Sequence, residues 1–160
     1  MSYLAQIIGK KMSTLQKIKE SQLKARKEKD STTSSLLTTI IGEAEMIGKS
    51  AGNRETTEEE VIQVLRKFEK NQVENQRIYI DKRLPEAVAI AETEIGIIRQ
   101  FLPVKLTDLQ VQKDIGTLMT NHLLPKEQKS LGIIIKELKT KYGSQFDGQQ
   151  VSTQFKQILV

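Results

Sequence analysis

His122 is the single histidine in this 160-residue sequence and the one side chain whose ordinary pKa offers a proton shuttle near neutral pH. A catalytic histidine needs an orienting acid and a nucleophile in register, and no recognised serine–histidine–acid arrangement surrounds this one. Its expected place is the end of a helix. The carboxylate pairs Glu43/Glu45 and Glu92/Glu94 stand two residues apart. On a helix such residues point to different sides, so neither pair makes an acid–base dyad. Nine glycines are present, yet neither G-x-x-x-x-G-K-[ST] nor G-x-G-x-x-G occurs, so no phosphate-cradling loop is expected. With no cysteine there is no thiol nucleophile, zinc–thiolate site, iron–sulfur ligation or disulfide framework. No catalytic residue, metal or cofactor is assigned.

The chemistry left is that of charge. Lysine and arginine number 25 against 20 aspartates and glutamates, a formal net charge of +5. Residues 1–30 carry 8 basic and 3 acidic side chains, residues 31–99 carry 9 and 12, and residues 100–160 carry 8 and 5. Basic ends flank an acidic middle. Basic surfaces attract phosphate backbones by releasing counterions, which makes both ends candidate nucleic-acid contacts. The competing reading is that these cations only solvate exposed helix faces. Tyr79, Tyr142 and Phe146 are isolated from one another, so no stacking platform for single strands is expected. Recognition of folded RNA by backbone and shape is the mode that remains.

The elements that would carry these residues are helices. Aromatic content is 4% and only three prolines occur, and no long period-two runs suggest strands. Leu4, Ile7, Ile8, Met12, Leu15 and Ile18 make one apolar stripe, with a helix start at Ser13/Gln16. Opposite it, Lys10, Lys17 and Lys19 make the N-terminal segment a basic amphipathic helix, suited to packing in a bundle or to docking on a partner. A second helix is expected to open in the Ser31–Ser35 cluster, bury Leu36, Leu37, Ile40, Ile41, Ala44 and Ile47, and stop at Gly48 and the Ala51-Gly52-Asn53 loop. Thr57/Glu60 is the clearest capping box, so Glu58-Glu59-Glu60 reads as a helix start. That third helix buries Val61, Ile62, Leu65 and Phe68 before the polar stretch from Glu69 to Arg77. Pro85 opens a fourth helix through Val88, Ala91, Ile95, Ile98 and Leu102, which must end before Pro103. Beyond it, Thr107/Gln110 starts a fifth helix with Leu109, Ile115, Leu118 and Met119. Leu131, Ile134, Ile135, Leu138 and Tyr142 form a sixth, closed by Gly143 as a left-handed cap. Asp147/Gln150 starts a seventh that buries Val151, Phe155, Ile158 and Leu159. No apolar run approaches the ~20 residues of a membrane span, nor does the start read as a signal peptide, so a cytoplasmic protein is expected.

Three stretches resemble the YqeY family, small stand-alone relatives of the helical tail of the tRNA-dependent amidotransferase B subunit. One is the N-terminal Leu/Lys helix running into Lys27-Glu28-Lys29-Asp30 and the Ser/Thr cluster. A second runs from Glu94-Ile95 through Gln100-Phe101-Leu102-Pro103-Val104-Lys105-Leu106-Thr107, similar to the joint between the family's N- and C-terminal parts. The third is Leu131-Gly132-Ile133-Ile134, then Lys139, Lys141, Tyr142 and Gly143, then Asp147-Gly148 and Val151. Ile133 and Val104 stand where the family's pattern has lysines, which removes two positive charges. The resemblance implies a tail-like domain of the kind that touches tRNA in the amidotransferase, where ammonia transfer and ATP use belong to other domains. Carbon–nitrogen ligation with glutamine as amido donor is therefore not expected of this 18.1 kDa chain alone.

The combined reading is an all-α protein with a four-helix N-terminal part, residues 1–102, and a three-helix C-terminal domain, residues 107–160. Its expected function is that of a non-catalytic accessory module binding tRNA or other structured RNA. The candidate contacts are Lys136, Lys139, Lys141 and Gly143, with Lys24, Arg26, Lys27 and Lys29 as a weaker second patch. Lysines place charge near phosphates, and a glycine lets the backbone come close. The alternative is an adaptor that docks a larger protein partner through its N-terminal amphipathic helix or through the face from Phe68 to Tyr79.

Overall fold

A computed structural model describes residues 11–160, apart from the Ser144 side chain; the expectations for Leu4, Ile7, Ile8, Gly9 and Lys10 lie outside the described residues. Among those described, all regular structure is helical. Seven α-helices run α1 Thr14–Lys27, α2 Ser31–Ser50, α3 Glu58–Asp81, α4 Pro85–Phe101, α5 Asp108–Asn121, α6 Leu131–Tyr142 and α7 Gly148–Leu159, with single 3-10 turns at Gln128–Ser130 and Gly143–Gln145. The chain divides after Leu102 into two compact units, the second spanning Pro103–Val160.

Side-chain caps set most of the helix starts. Ser13 and Gln16 close a full capping box on α1, and Thr57 and Glu60 do the same on α3. Arg54 reinforces the second box, donating from Nη1 to Glu60 Oε2 at 2.9 Å and from Nη2 to Oε1 at 2.6 Å. That guanidinium, together with the Thr57 amide, holds the Glu60 carboxyl down at about 2. Glu58 reaches sideways instead, accepting from the Thr14 backbone N–H at 3.1 Å and from the Thr14 hydroxyl, which ties the start of α1 to the start of α3.

Helix α2 opens at Ser31, inside the expected cluster, but its cap is not one of the cluster's hydroxyls. Asp30, one residue ahead of the Ser/Thr cluster, is the cap and accepts from the Thr33 amide at 3.0 Å. Aspartate caps at least as well as serine, and the later hydroxyls of Thr38 and Thr39 turn back onto the Ser34 and Ser35 carbonyls within the helix. The helix ends at the Ala51-Gly52-Asn53 loop, as expected, but Gly48 does not stop it. It is buried inside α2, which continues to Ser50, and the 51–57 loop folds back directly over it.

The core of the first unit gathers Ile18 of α1, Leu36, Leu37, Ile40 and Ala44 of α2, Val61, Ile62, Val64 and Leu65 of α3, and Ile98 of α4. Phe68 packs against this core rather than offering a docking face. Ion pairs between helices lie over it: Lys19–Glu45 at 2.6 Å, Lys67–Glu43, and Arg99–Glu69 at 2.7 Å.

In the second unit Val111, Ile115 and Met119 of α5 meet Ile134 and Leu138 of α6 and Val151 and Phe155 of α7. Leu109, expected in the α5 stripe, is 77% exposed; Val111 takes the inward place. The Thr107 and Asp147 hydroxyl and carboxylate cap α5 and α7 as expected, but the reciprocal bonds are replaced. Gln110 donates to Asp114 at 3.1 Å, and Gln150 donates to the Leu106 carbonyl and to Asp108, both at 2.8 Å. Gln150 thus joins the tertiary fold, while Gln110 turns along its own helix to the buried Asp114.

Candidate nucleic-acid interface

Helix α6 is fixed by Ile134 and Leu138, both buried, with Leu131, Ile135 and Tyr142 packed beside them. Its opposite side faces solvent. At about 100° of rotation per residue, positions 132, 136, 139 and 143 fall along one line of the helix. Gly132, Lys136, Lys139 and Gly143 occupy that line, and all four are exposed. A Cβ at Gly132 or Gly143 would meet nothing within 4 Å, so the backbone at both ends of the lysine pair is open to close approach. Gly143 caps α6 at φ +52°, its N–H bonded to the Lys139 carbonyl, but its ψ of −117° lies outside the expected left-handed helical region, and the chain enters a 3-10 turn.

Lys141 is not part of that line. It sits about 140–160° around the helix from Lys136 and Lys139 and leans toward α5, with Nζ 3.3 Å from Asp114 Oδ2 and 4.8 Å from the centre of the Tyr142 ring. Asp114 is buried and also accepts from the Tyr142 hydroxyl and from Gln110. Burial alone would push its carboxyl up. The bonds from Tyr142, Gln110 and Lys141, with the charge of Lys141, outweigh that and hold it below its ordinary value. Tyr142 first, and Asp114 with it, push the Lys141 ammonium up. This cluster fixes α6 against α5, and it had a sequence signal: Asp114 lies at core spacing between Val111 and Leu118.

Asp114 should make the stability of the fold depend on pH. Its folded pKa lies below the unfolded value of 3.8, so the unfolded chain takes up the proton more readily. Its stabilisation is present well above that value and is lost as pH falls through the lowered one. In unfolding titrations, Asp114→Asn should lose stability at pH 7 and show a smaller further loss than the wild type on going to pH 3. Equal losses in both proteins would show that Asp114 does not couple to folding.

The second patch lies at the end of α1. Lys24, Arg26 and Lys27 occupy its last turn, where cations suit the negative end of the helix dipole. Lys29 follows at φ +59°. All four are exposed, and Lys24 lies 3.9 Å from Glu28. Ile133 and Val104, where the family pattern has lysines, are 45% and 80% exposed, so those surface positions carry apolar side chains.

His122 and the two carboxylate pairs considered for acid–base chemistry do not come together. His122 closes α5 through its backbone N–H and is exposed. Glu43 and Glu45 turn to Lys67 on α3 and Lys19 on α1. Glu92 accepts from Gln76, while burial pushes Glu94 up. No group of three histidines and carboxylates among the described residues could hold a metal ion, and no described helix is long and apolar enough to cross a membrane. A cavity of about 640 Å³ opens in the first unit beside Lys19, Glu45 and Arg54, but those charges already satisfy one another or Glu60.

Compared with known proteins, the sequence matches a family model, Yqey-like protein, over residues 14–159. The match begins on the first residue of α1 and ends on the last of α7. No curated protein matches the chain.

Proposed function

The chain belongs to the YqeY family, and from that premise we propose that it is a non-catalytic accessory protein that binds folded RNA, tRNA foremost, through its three-helix unit. The four-helix and three-helix parts act in this reading as separate domains, the second related to the amidotransferase tail, and the protein works in the cytoplasm where tRNA is used. The observation that supports it is the open line on α6, where two lysines stand between two glycines. It lies in the stretch 100–160, whose 8 basic and 5 acidic residues favour a polyanion. Lysine ammonium groups contact phosphates as point charges, and the glycines let a ribose–phosphate backbone lie against the helix. Lys141 serves by positioning α6, and the Lys24, Arg26, Lys27 and Lys29 cluster adds a weaker, non-directional attraction.

Fluorescence anisotropy with total tRNA at two salt concentrations tests this. The wild type should bind in the micromolar range and weaken steeply with salt. Lys136→Ala with Lys139→Ala should flatten the log–log salt slope by up to about 2, since each phosphate contact contributes roughly 0.7–0.9. Lys141→Ala should lower thermal stability more than it lowers the slope. Absence of binding at low salt would overturn the reading.

A further inference from the structure

We propose that two copies of the chain pair through the distal part of the α3–α4 hairpin. No residue from 70 to 90 is buried, although both helices are regular there. The side chains that are half-buried on α3 in this stretch are Gln72, Asn75, Gln76 and Tyr79. Val88 of α4 is half-buried, but the other large apolar ones point away: Val73 is 41% exposed, Ile78 46%, Ile80 56%, Leu84 46% and Ile90 53%. Amides inside and isoleucines outside reverse the usual pattern of a helix pair. Two helices alone make one layer, and a layer buries its apolar face only against another.

The charges on this arm point to a second copy as the covering layer. Residues 70–92 carry four cations and four carboxylates. Among the described residues none of the eight is in an ion pair, whereas the same unit's core is overlaid by Lys19–Glu45, Arg54–Glu60, Lys67–Glu43 and Arg99–Glu69. A balanced set of unpaired charges neither repels its own copy nor attracts a polyanion. The patch also holds both a projection and a recess. Ile80 and Leu84 rim a hollow of about 520 Å³ that continues over Pro85, Val88 and Ala89. Arg83, in the turn before α4, and Glu92, on α4, both line it. A two-fold pairing uses the same patch on both copies. It sets Ile80 and Leu84 of each over the hollow of the other, and Arg83 of each against Glu92 of the other.

Sedimentation equilibrium of the full chain over a wide concentration range tests the pairing. The wild type should show a monomer–dimer equilibrium. Leu84→Asp should weaken it roughly 100-fold, as loss of a central apolar anchor does, with helicity and Tm of the monomer retained because the side chain is exposed there. Arg83→Glu and Glu92→Arg should each weaken self-association, while an equimolar mixture of the two variants should recover wild-type pairing, because both salt links re-form with reversed polarity on one side. A wild type that stays monomeric throughout, or a Leu84→Asp protein that pairs as well as wild type, would overturn the proposal. A mixture that stays as weak as its components would overturn the two-fold arrangement.

Discussion

Replacing Phe155 by alanine should unfold the three-helix unit. The ring is fully buried between α5, α6 and α7, and it is the largest wholly enclosed side chain among the described residues. Truncation of a buried phenylalanine costs about 3–5 kcal/mol, part lost transfer energy and part the cavity left behind. A core in a domain below about 70–80 residues seldom supplies more than that, and this unit spans only Pro103–Val160. Its other buried apolar residues are Val111, Ile115, Met119, Ile134, Leu138 and Val151, none of them aromatic. Phe155→Leu, which keeps most of the volume, should cost roughly 1 kcal/mol and leave a folded unit. Amide spectra report the outcome residue by residue. Residues 108–159 should lose their dispersion in Phe155→Ala, while Ile40 and Leu65 report on the first unit. Retention of native α5–α7 resonances would mean that the core does not depend on this ring.

The second large effect is one of sign. Gly42 and Gly48 lie in the same helix, α2. Helix propensity alone favours alanine over glycine by about 1 kcal/mol at both. At Gly42 a Cβ meets nothing within 4 Å, so Gly42→Ala should stabilise by up to that amount. At Gly48 the added carbon would press into the Arg54 carbonyl oxygen and lie 2.9 Å from the Thr56 hydroxyl. The loop cannot retreat without cost. The Arg54 N–H donates to the Gly48 carbonyl at 3.1 Å, the Thr56 hydroxyl donates to the Ala44 carbonyl at 2.7 Å, and Arg54 is clamped to Glu60. Gly48→Ala should therefore destabilise by about 1–3 kcal/mol, as overpacking does. Urea midpoints of the two variants check this: one should rise and the other fall. A rise in both would show that the 51–57 loop does not lie against Gly48.

Lys141 separates two kinds of signal in the site. It sits two residues from Lys139 in the chain, so chain proximity groups it with Lys136 and Lys139, yet helical rotation alone puts it on another side. That much was legible in the sequence and needed only the wheel. Its partner was not: Asp114 and Tyr142 meet across 28 residues, and no local pattern states which helix lies opposite which.

Taken residue by residue, the sequence determined the local features. Ser13, Thr57, Thr107 and Asp147 as caps, Pro85 as a first-turn residue and Pro103 as a stop could all be read directly. Orphan backbone N–H groups at a helix start are served by a side chain within three residues, and proline acts on its immediate neighbour. The helical class and the buried faces of α2, α6 and α7 followed from apolar spacing for the same reason. Tertiary structure decided the rest. It placed a loop over Gly48, left Leu109 and Ile80 in solvent, joined Thr14 to Glu58 across 44 residues, and diverted Gln150 from its cap. Periodicity fixes the direction in which a side chain leaves its own helix, while burial and pairing depend on what stands in that direction, and that is set by chain segments tens of residues away.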